Sequence, residues 1–403
     1  MKPTAQDAVV LGLGFGDEGK GRVVDYLCAG YGKANADIDP QYEVPSLVVR
    51  FSGGHQAAHH VVHSPEKHHV FAHFGSGTLY GIPTHWSRYC PVAPVALMVE
   101  HEVLKTKDCH PKLYIDRRCP ITTLYEKFWN ARANGSKVLA DGSCGVGIYA
   151  TRYREEQGFH ILFEDLWYPH VLKQKIHLLK RWGPYAELEV PDITLDHFLD
   201  NCSEITRTPG IELVAGLDDC FPDRRNPDGR IIFEGSQGLM LDQNFGFFPH
   251  VTPSNTGMQN YLKHQNGATV WLVTRAYATR HGNGPFVPHE NAASGLLPNK
   301  WEMNTFGGTQ GEFRIGILSL DYLCYAVNKD PHLRRSNEQR NLVVTCMDQL
   351  NGHWRLIEDG LVRTYPSEEE FLRCIQEATA ADNVYVSRSA LTTCPLEFVM
   401  SRR

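Results

Sequence analysis

The residues best equipped for chemistry stand near the start of the chain, in Gly12-Leu13-Gly14-Phe15-Gly16-Asp17-Glu18-Gly19-Lys20-Gly21. The spacing Gly14-x-x-x-x-Gly19-Lys20 fits the first part of a phosphate-binding loop. Glycines let backbone N–H groups turn toward phosphate oxygens, and the N-terminus of a following helix favours an anion. Lys20 would add a point charge at the phosphates. Two features depart from a standard loop of this kind. Gly21 stands where a Ser or Thr would hold magnesium, and Asp17 and Glu18 put carboxylates where phosphate would be repelled. A carboxylate there makes sense if it binds magnesium or takes a proton. The plain alternative is a strand-to-helix turn with accidental spacing. A second concentration of reactive side chains is the histidine run His55, His59, His60, His63, His68, His69 and His73, drawn from 20 histidines in all. Most are expected to be structural or solvated.

The elements that must position these groups read as an α/β pattern. Ala8-Val9-Val10-Leu11 is a short apolar strand before the glycine loop, and Arg22-Val23-Val24-Asp25-Tyr26-Leu27 has helical spacing after it. Further buried strands are expected at Ser46–Phe51, Lys112–Ile115, Arg230–Phe233, Val270–Val273, Asn341–Thr345 and Val384–Val386. Continuous apolar runs followed by polar or glycine-rich loops predict a largely parallel central sheet with helices on both faces. Ligand loops would then sit at the carboxyl ends of its strands. The stretch from about 159 to 230 reads as helical, and about 281–312 as a long functional loop. With no clear linker, residues 1–403 read as one domain carrying these two insertions.

The bulk properties narrow the class. The 403 residues carry a net charge of −6, so nucleic acid and membrane surfaces are poor partners. No apolar run spans a membrane and the N-terminus lacks a signal core, so a cytoplasmic enzyme is expected. The 11 cysteines form no C-x-x-C pair and read as reduced thiols.

The pattern aromatic-Gly-Asp-Glu-Gly-Lys-Gly resembles the signature loop of the adenylosuccinate synthetase family. Other motifs follow in order. Arg50-x-x-Gly53-Gly54-His55-Gln56-Ala57-Ala58-His59 is similar to Arg-x-x-Gly-Gly-His-Asn-Ala-Gly-His. Cys90–Leu97 resembles Val-Val-Leu-x-Pro-x-x-Leu. Phe233–Gly238 and Pro249–Asn255 resemble Phe-Glu-Gly-Ala-Gln-Gly and Pro-Tyr-Val-Thr-x-Ser-Asn. Thr279-Arg280-His281-Gly282-Asn283-Gly284-Pro285-Phe286 is similar to Thr-Arg-Val-Gly-Ala-Gly-Pro-Phe. Some details, at Ile115–Cys119 and Val344–Asp348, resemble the shorter archaeal members.

The resemblance implies a two-step ligase. An NTP γ-phosphate moves to O6 of a 6-oxopurine nucleotide, and L-aspartate then displaces it at C6. Asp17 would take the N1 proton and touch Mg2+, with the Ala58 carbonyl as second protein ligand. His59 would donate to the bridging oxygen. Lys20 with Gly16, Glu18, Gly19 and Gly21 would hold the donor phosphates. Asp348 resembles the family's guanine reader and favours GTP over ATP; Ser387 would lie beside it. Gln56, Gln237, Thr252, Asp141, Gly142, Thr309 and Arg314 would line the acceptor and amine sites. A homodimer is implied, because family active sites borrow a residue across the interface.

Departures bear on substrate. Ala140-Asp141-Gly142-Ser143 replaces the phosphate-binding Gly-Thr-Thr-Gly, and either Arg152 or Arg154 is the candidate for a missing phosphate arginine. In Gly307–Ile315 only Arg314 survives of four arginines, and Glu312 replaces the one near the ribose 2′-hydroxyl. That change fits the phage branch of this resemblance, which acts on dGMP and begins 2-aminoadenine synthesis. IMP and dGMP thus both stand as acceptors. Alternatives are the same activation with a different amine or acceptor, as in a nucleoside-antibiotic pathway, and a nucleotide-binding protein without catalysis.

Overall fold

The computed structural model describes residues 7–29, 46–135, 144–220, 230–261, 267–286, 295–304, 311–335 and 338–402. Ten strands form one sheet. Across it run Glu397–Ser401, Asn383–Val386, Arg340–Thr345, Thr269–Arg275, Ala8–Gly12, Ile231–Glu234, Leu47–Arg50, Thr84–Trp86, Leu113–Asp116 and Ile211–Val214. Every pairing in it is parallel except that of Asn383–Val386 with Glu397–Ser401. The expected α/β sheet is therefore present.

The first strand explains why its sequence is apolar without alternation. Val9 and Leu11 pack into one core with Phe233 and Leu272. Ala8 and Val10 pack on the other face with Val23, Val24 and Leu27 of the helix Lys20–Cys28. Both faces are covered, so both must be apolar. Each buried Val or Leu contributes about 1.5–3 kcal/mol relative to exposure.

The stretch 159–230 is less helical than expected. It holds the helices Pro169–Leu179 and Asp192–Ile205 and then the edge strand Ile211–Val214. Ile-Glu-Leu-Val is too short for its period to separate strand from helix. The region with the densest run of histidines forms an antiparallel hairpin, His59–Val62 with His68–Phe71. A second hairpin pairs Ala278–His281 with Phe313–Gly316, on either side of the long loop expected there. Because the sheet is parallel, the loops Leu13–Gly19, Phe51–Ala58, Gly235–Gly238 and Cys346–Gln349 all leave from one edge.

Candidate active site

The glycine loop is tightly built. Gly16, Asp17 and Gly19 have φ of 89°, 57° and 92°, and Gly19 caps the helix Lys20–Cys28. Aspartate tolerates the left-handed region better than most residues, but holding it there costs about 1 kcal/mol or more. A Cβ on Gly238 would lie 2.3 Å from the Gly14 carbonyl, so two backbones touch under the loop. The Thr345 hydroxyl donates to the Glu18 carbonyl at 2.8 Å and braces it from the neighbouring strand.

The two carboxylates of the loop differ. Glu18 turns inward, and its Oε1 accepts from the Gly14 N–H at 2.5 Å. Burial pushes its pKa up to about 7, against the pull of Lys20 and Gly14. Its side chain therefore fastens the loop, and only its backbone is left to face a phosphate. Asp17 points the other way. Burial alone would raise its pKa, but His281, Arg275 and Lys20 together hold it below the ordinary carboxylate value. Its Oδ2 lies 3.3 Å from His281 Nε2. Lys20 is buried and its Nζ donates to the Gln237 carbonyl. Burial lowers the lysine pKa, and Glu18 and Asp17 pull it back up.

His59 lies directly over the start of this helix. A Cβ on Gly21 would approach His59 Cβ to 2.8 Å. This accounts for the missing Ser or Thr, since any side chain at position 21 would displace the histidine. His59 Nδ1 lies 2.5 Å from Glu234 Oε1, and both are buried. Ser76 adds its N–H to Glu234 Oε2 at 3.0 Å and its hydroxyl to Oε1 at 2.5 Å. Burial drives the His59 pKa down to about 4, although Glu234 opposes this. Burial would raise Glu234, but Arg50, His59 and Ser76 bring it down to about 2. Glu234 thus fixes the Nδ1 proton and leaves Nε2 as the working nitrogen. Arg50 supports the same turn, donating from Nη2 to the Ala57 carbonyl at 2.7 Å and packing over Trp86.

Other sequence-predicted residues fall around this centre. Gln237 has φ 59° and packs against Gly16, where an added Cβ would meet its Cα at 3.7 Å. Gln56 is half-buried beside Gly54. Thr252 is buried, and its carbonyl accepts from Ser254, whose hydroxyl accepts from the Gly53 N–H at 2.9 Å. Asp348 is exposed just past the strand Arg340–Thr345. The Met347 N–H donates to the Ser387 carbonyl at 3.2 Å, which brings the two donor-side loops together. The Ser387 hydroxyl, however, donates to the Ser389 carbonyl of its own loop. Arg314 stands opposite Arg280 across the hairpin and donates to the Gly284 carbonyl at 3.2 Å. Asp141, Gly142 and Thr309 lie outside the described residues.

Of the two candidates for a phosphate arginine, Arg154 is unsuited. It is fully buried and spent on Glu126 at 2.5 Å, Glu155 at 2.7 Å and the Ile121 carbonyl at 2.7 Å. Arg152 is committed to the Tyr89 carbonyl through Nη2. Three other histidines of the run have structural partners. His63 pairs with Asp25 at 2.8 Å, His73 with Glu100 at 3.2 Å, and His55 stacks on His73. Sequence reasoning missed Ser76, Arg275, Glu302 and Asn304. Only His281 left a signal, standing where the resembling motif has valine.

The donor set suits magnesium. Asp17 Oδ1 has no protein donor among the described residues, and Arg50 engages the Ala57 carbonyl while Ala58 is exposed. Hard carboxylate and carbonyl oxygens are what that ion takes.

A family model described as adenylosuccinate synthetase matches residues 9–358. The chain belongs to the adenylosuccinate synthetase family. It is 31% identical over 342 residues to the adenylosuccinate synthetase of Thermoplasma acidophilum, covering 80% of this chain and 73% of that one. It is 28% identical to that of Thermodesulfovibrio yellowstonii, over 90% of this chain and 84% of the relative. Among solved structures, fully ligated adenylosuccinate synthetase from Plasmodium falciparum aligns with a TM-score of 0.75 at 18% identity, covering 98% and 100% of the two chains. Cyanophage S-2L succinoaminodeoxyadenylate synthetase, PurZ, bound to dGMP and dATP, aligns with a TM-score of 0.61 at 14% identity, covering 99% and 96%. These two likenesses are of fold. Adenylosuccinate synthetases are ligases, and the chain is an enzyme of this kind. Among the described residues no helix is long and apolar enough to cross a membrane.

Proposed function

We propose that the protein couples L-aspartate to C6 of a 6-oxopurine nucleotide, IMP or dGMP, using GTP as donor. One observation carries the reading: Asp17 and a Glu234-bound His59 flank the buried Lys20 at the mouth of the glycine loop. Asp17 takes the N1 proton, and O6 becomes nucleophilic. O6 attacks the γ-phosphorus, the bond to the β-phosphate oxygen breaks, and the nucleoside diphosphate leaves. The aspartate amine then attacks C6, and the C6–O6 bond breaks to release phosphate. A neutral His59 with its proton on Nδ1 presents a lone pair at Nε2. Donation to O6 therefore needs the imidazolium, which the Glu234 carboxylate stabilises. Burial and, after it, Arg50 and Lys20 disfavour that charge in the free site, and an incoming phosphate offsets the two cations. Asp17 Oδ1 and the Ala58 carbonyl would hold Mg2+, which supplies electrophilic stabilisation of the transferring phosphoryl group when bound. Asp348 supports GTP over ATP, because a carboxylate there can accept from guanine N1–H and the 2-amino group. The family resemblance supports a homodimer and a cytoplasmic setting.

A second reading has its own support. Glu312 and Phe313 stand where the family has arginines, so an amine with fewer carboxylates would lose less. The deciding assay is phosphate release with Mg2+ and GTP or ATP against IMP, GMP, dGMP and inosine, each with and without L-aspartate. Release that needs both aspartate and one acceptor supports the ligase and names the acceptor. Release indifferent to aspartate favours another amine. No release from any combination, with nucleotide still bound, overturns the proposal.

A further inference from the structure

Five residues close a ring of polar contacts through Asp17. Arg275 Nε donates to the Asp17 carbonyl at 2.5 Å. Arg275 Nη1 reaches Glu302 Oε2 at 2.7 Å. Glu302 Oε1 accepts from Asn304 Nδ2 at 2.8 Å. Asn304 Oδ1 lies 3.0 Å from His281 Nε2, and the single N–H of that nitrogen is shared with Asp17 Oδ2 at 3.3 Å. Backbone and side chain of one residue are thus gripped from two sides, and that residue is the one held at φ 57°.

We infer that this ring makes His281 the positioning residue for Asp17, engaging Oδ2 and so fixing the direction of Oδ1, whose two lone pairs are left for magnesium and the reacting proton. The valine of the resembling motif has no group that could do this. An aspartate side chain held only by solvent rotates about two torsions, and either oxygen can then point away from a reacting proton. A donor on Oδ2 removes that freedom, and supporting bonds of this kind are what hold a reactive group within about 0.5 Å of its working position. Glu302 and Asn304 have no contact of their own with Asp17; they act by orienting Arg275 and His281.

The kinetic test rests on the reading of Asp17 as proton acceptor. With the acceptor that supports release, His281→Val is expected to lower kcat about ten- to hundredfold, as for loss of a charge-assisted hydrogen bond. The KM for the donor nucleotide should stay within about twofold. His281→Gln, whose amide can still donate to Oδ2, should recover most of the loss. Asn304→Ala should change kcat in the wild-type background, and adding it to His281→Val should change it little further. Equal kcat for wild type and His281→Val, or additive losses, would overturn the ring. A readout independent of turnover is the 15N signal of the His281 imidazole. It should shift in Asp17→Ala and in Glu302→Gln; an unmoved signal in both overturns the inference even if no acceptor is ever turned over. Absence of wild-type activity with a signal that does shift would instead count against the proposed function alone.

Discussion

Replacing Glu234 by glutamine tests the centre of the site with the least change in volume. The carboxylate accepts from three donors, His59 Nδ1 at 2.5 Å, the Ser76 N–H at 3.0 Å and the Ser76 hydroxyl at 2.5 Å. A glutamine amide offers one acceptor oxygen, and its NH2 must face at least one of those donors. The variant therefore loses at least one charge-assisted bond, about 1.5–3 kcal/mol, and leaves a buried donor unpaired. It also removes the charge that stabilises an imidazolium at His59. At about 1.4 kcal/mol per factor of ten, the loss in kcat/KM should be about 10- to 150-fold. The assay is acceptor- and aspartate-dependent phosphate release, with the melting temperature measured alongside. Binding of the donor nucleotide should change little, because Glu234 lies on the His59 side of the loop. A kcat/KM within twofold of wild type, in a variant that melts normally, would falsify the role given to the Glu234–His59 pair.

Three further outcomes are expected. Asp17→Asn should abolish turnover while donor nucleotide binding, measured by calorimetry, stays within a few-fold; substantial residual turnover would exclude Asp17 as the base. Gly238→Ala should melt well below wild type, since its Cβ would meet the Gly14 carbonyl at 2.3 Å, and overpacking costs about 1–3 kcal/mol or more; an unchanged melting curve would contradict the close contact of the two loops. Stability should fall steadily on acidification. Burial would raise Glu100 and Glu234, but their hydrogen-bond and charge partners hold them at about 2 against an ordinary value of 4.5, and burial holds His55 and His59 at about 3 and about 4 against 6.5. The unfolded chain then binds more protons than the folded one, for the histidines as pH falls below 6.5 and for the carboxylates below 4.5; Glu18, held up at about 7, takes its proton first in the folded state and offsets only part of the effect of the two histidines. A melting temperature flat from pH 6.5 to pH 4 would refute this.

The sheet was legible because its central strands are buried on both faces and therefore read as unbroken apolar runs, Ala8–Leu11 and Val270–Val273 among them. The edge strands Ile211–Val214 and Glu397–Ser401 and the interior strand Thr84–Trp86 were not, since an edge strand carries fewer apolar residues and three to five residues are too few to set a period. Asp17, Lys20 and His59 were found through an ordered motif, and the structure gathers them. Ser76, Glu302 and Asn304 escaped because each acts through a partner far away in the chain, as Ser76 does on Glu234. No spacing rule connects such residues. Arg154 misled for the opposite reason: its charge suggested a ligand, whereas Glu126 and the backbone already neutralise it in the interior.

The position of Ala8–Gly12 at the middle of the sheet has a consequence for how such an enzyme can change. On one side lie the strands that lead into the loops of Asp348 and Ser387, and on the other those that end at Arg50 and Glu234. Neighbouring strands are only about 4.8 Å apart, so the two substrates of the proposed reaction would sit side by side, with the glycine loop as their common wall. Each is then served by a different stretch of the chain. Mutations that retune the acceptor and its amine need not disturb the donor, and the wall itself tolerates neither. A lineage can thus drift to a new purine or a new amine while Asp17, Lys20 and Gly21 stay in place, which is the pattern of change and retention that this chain carries.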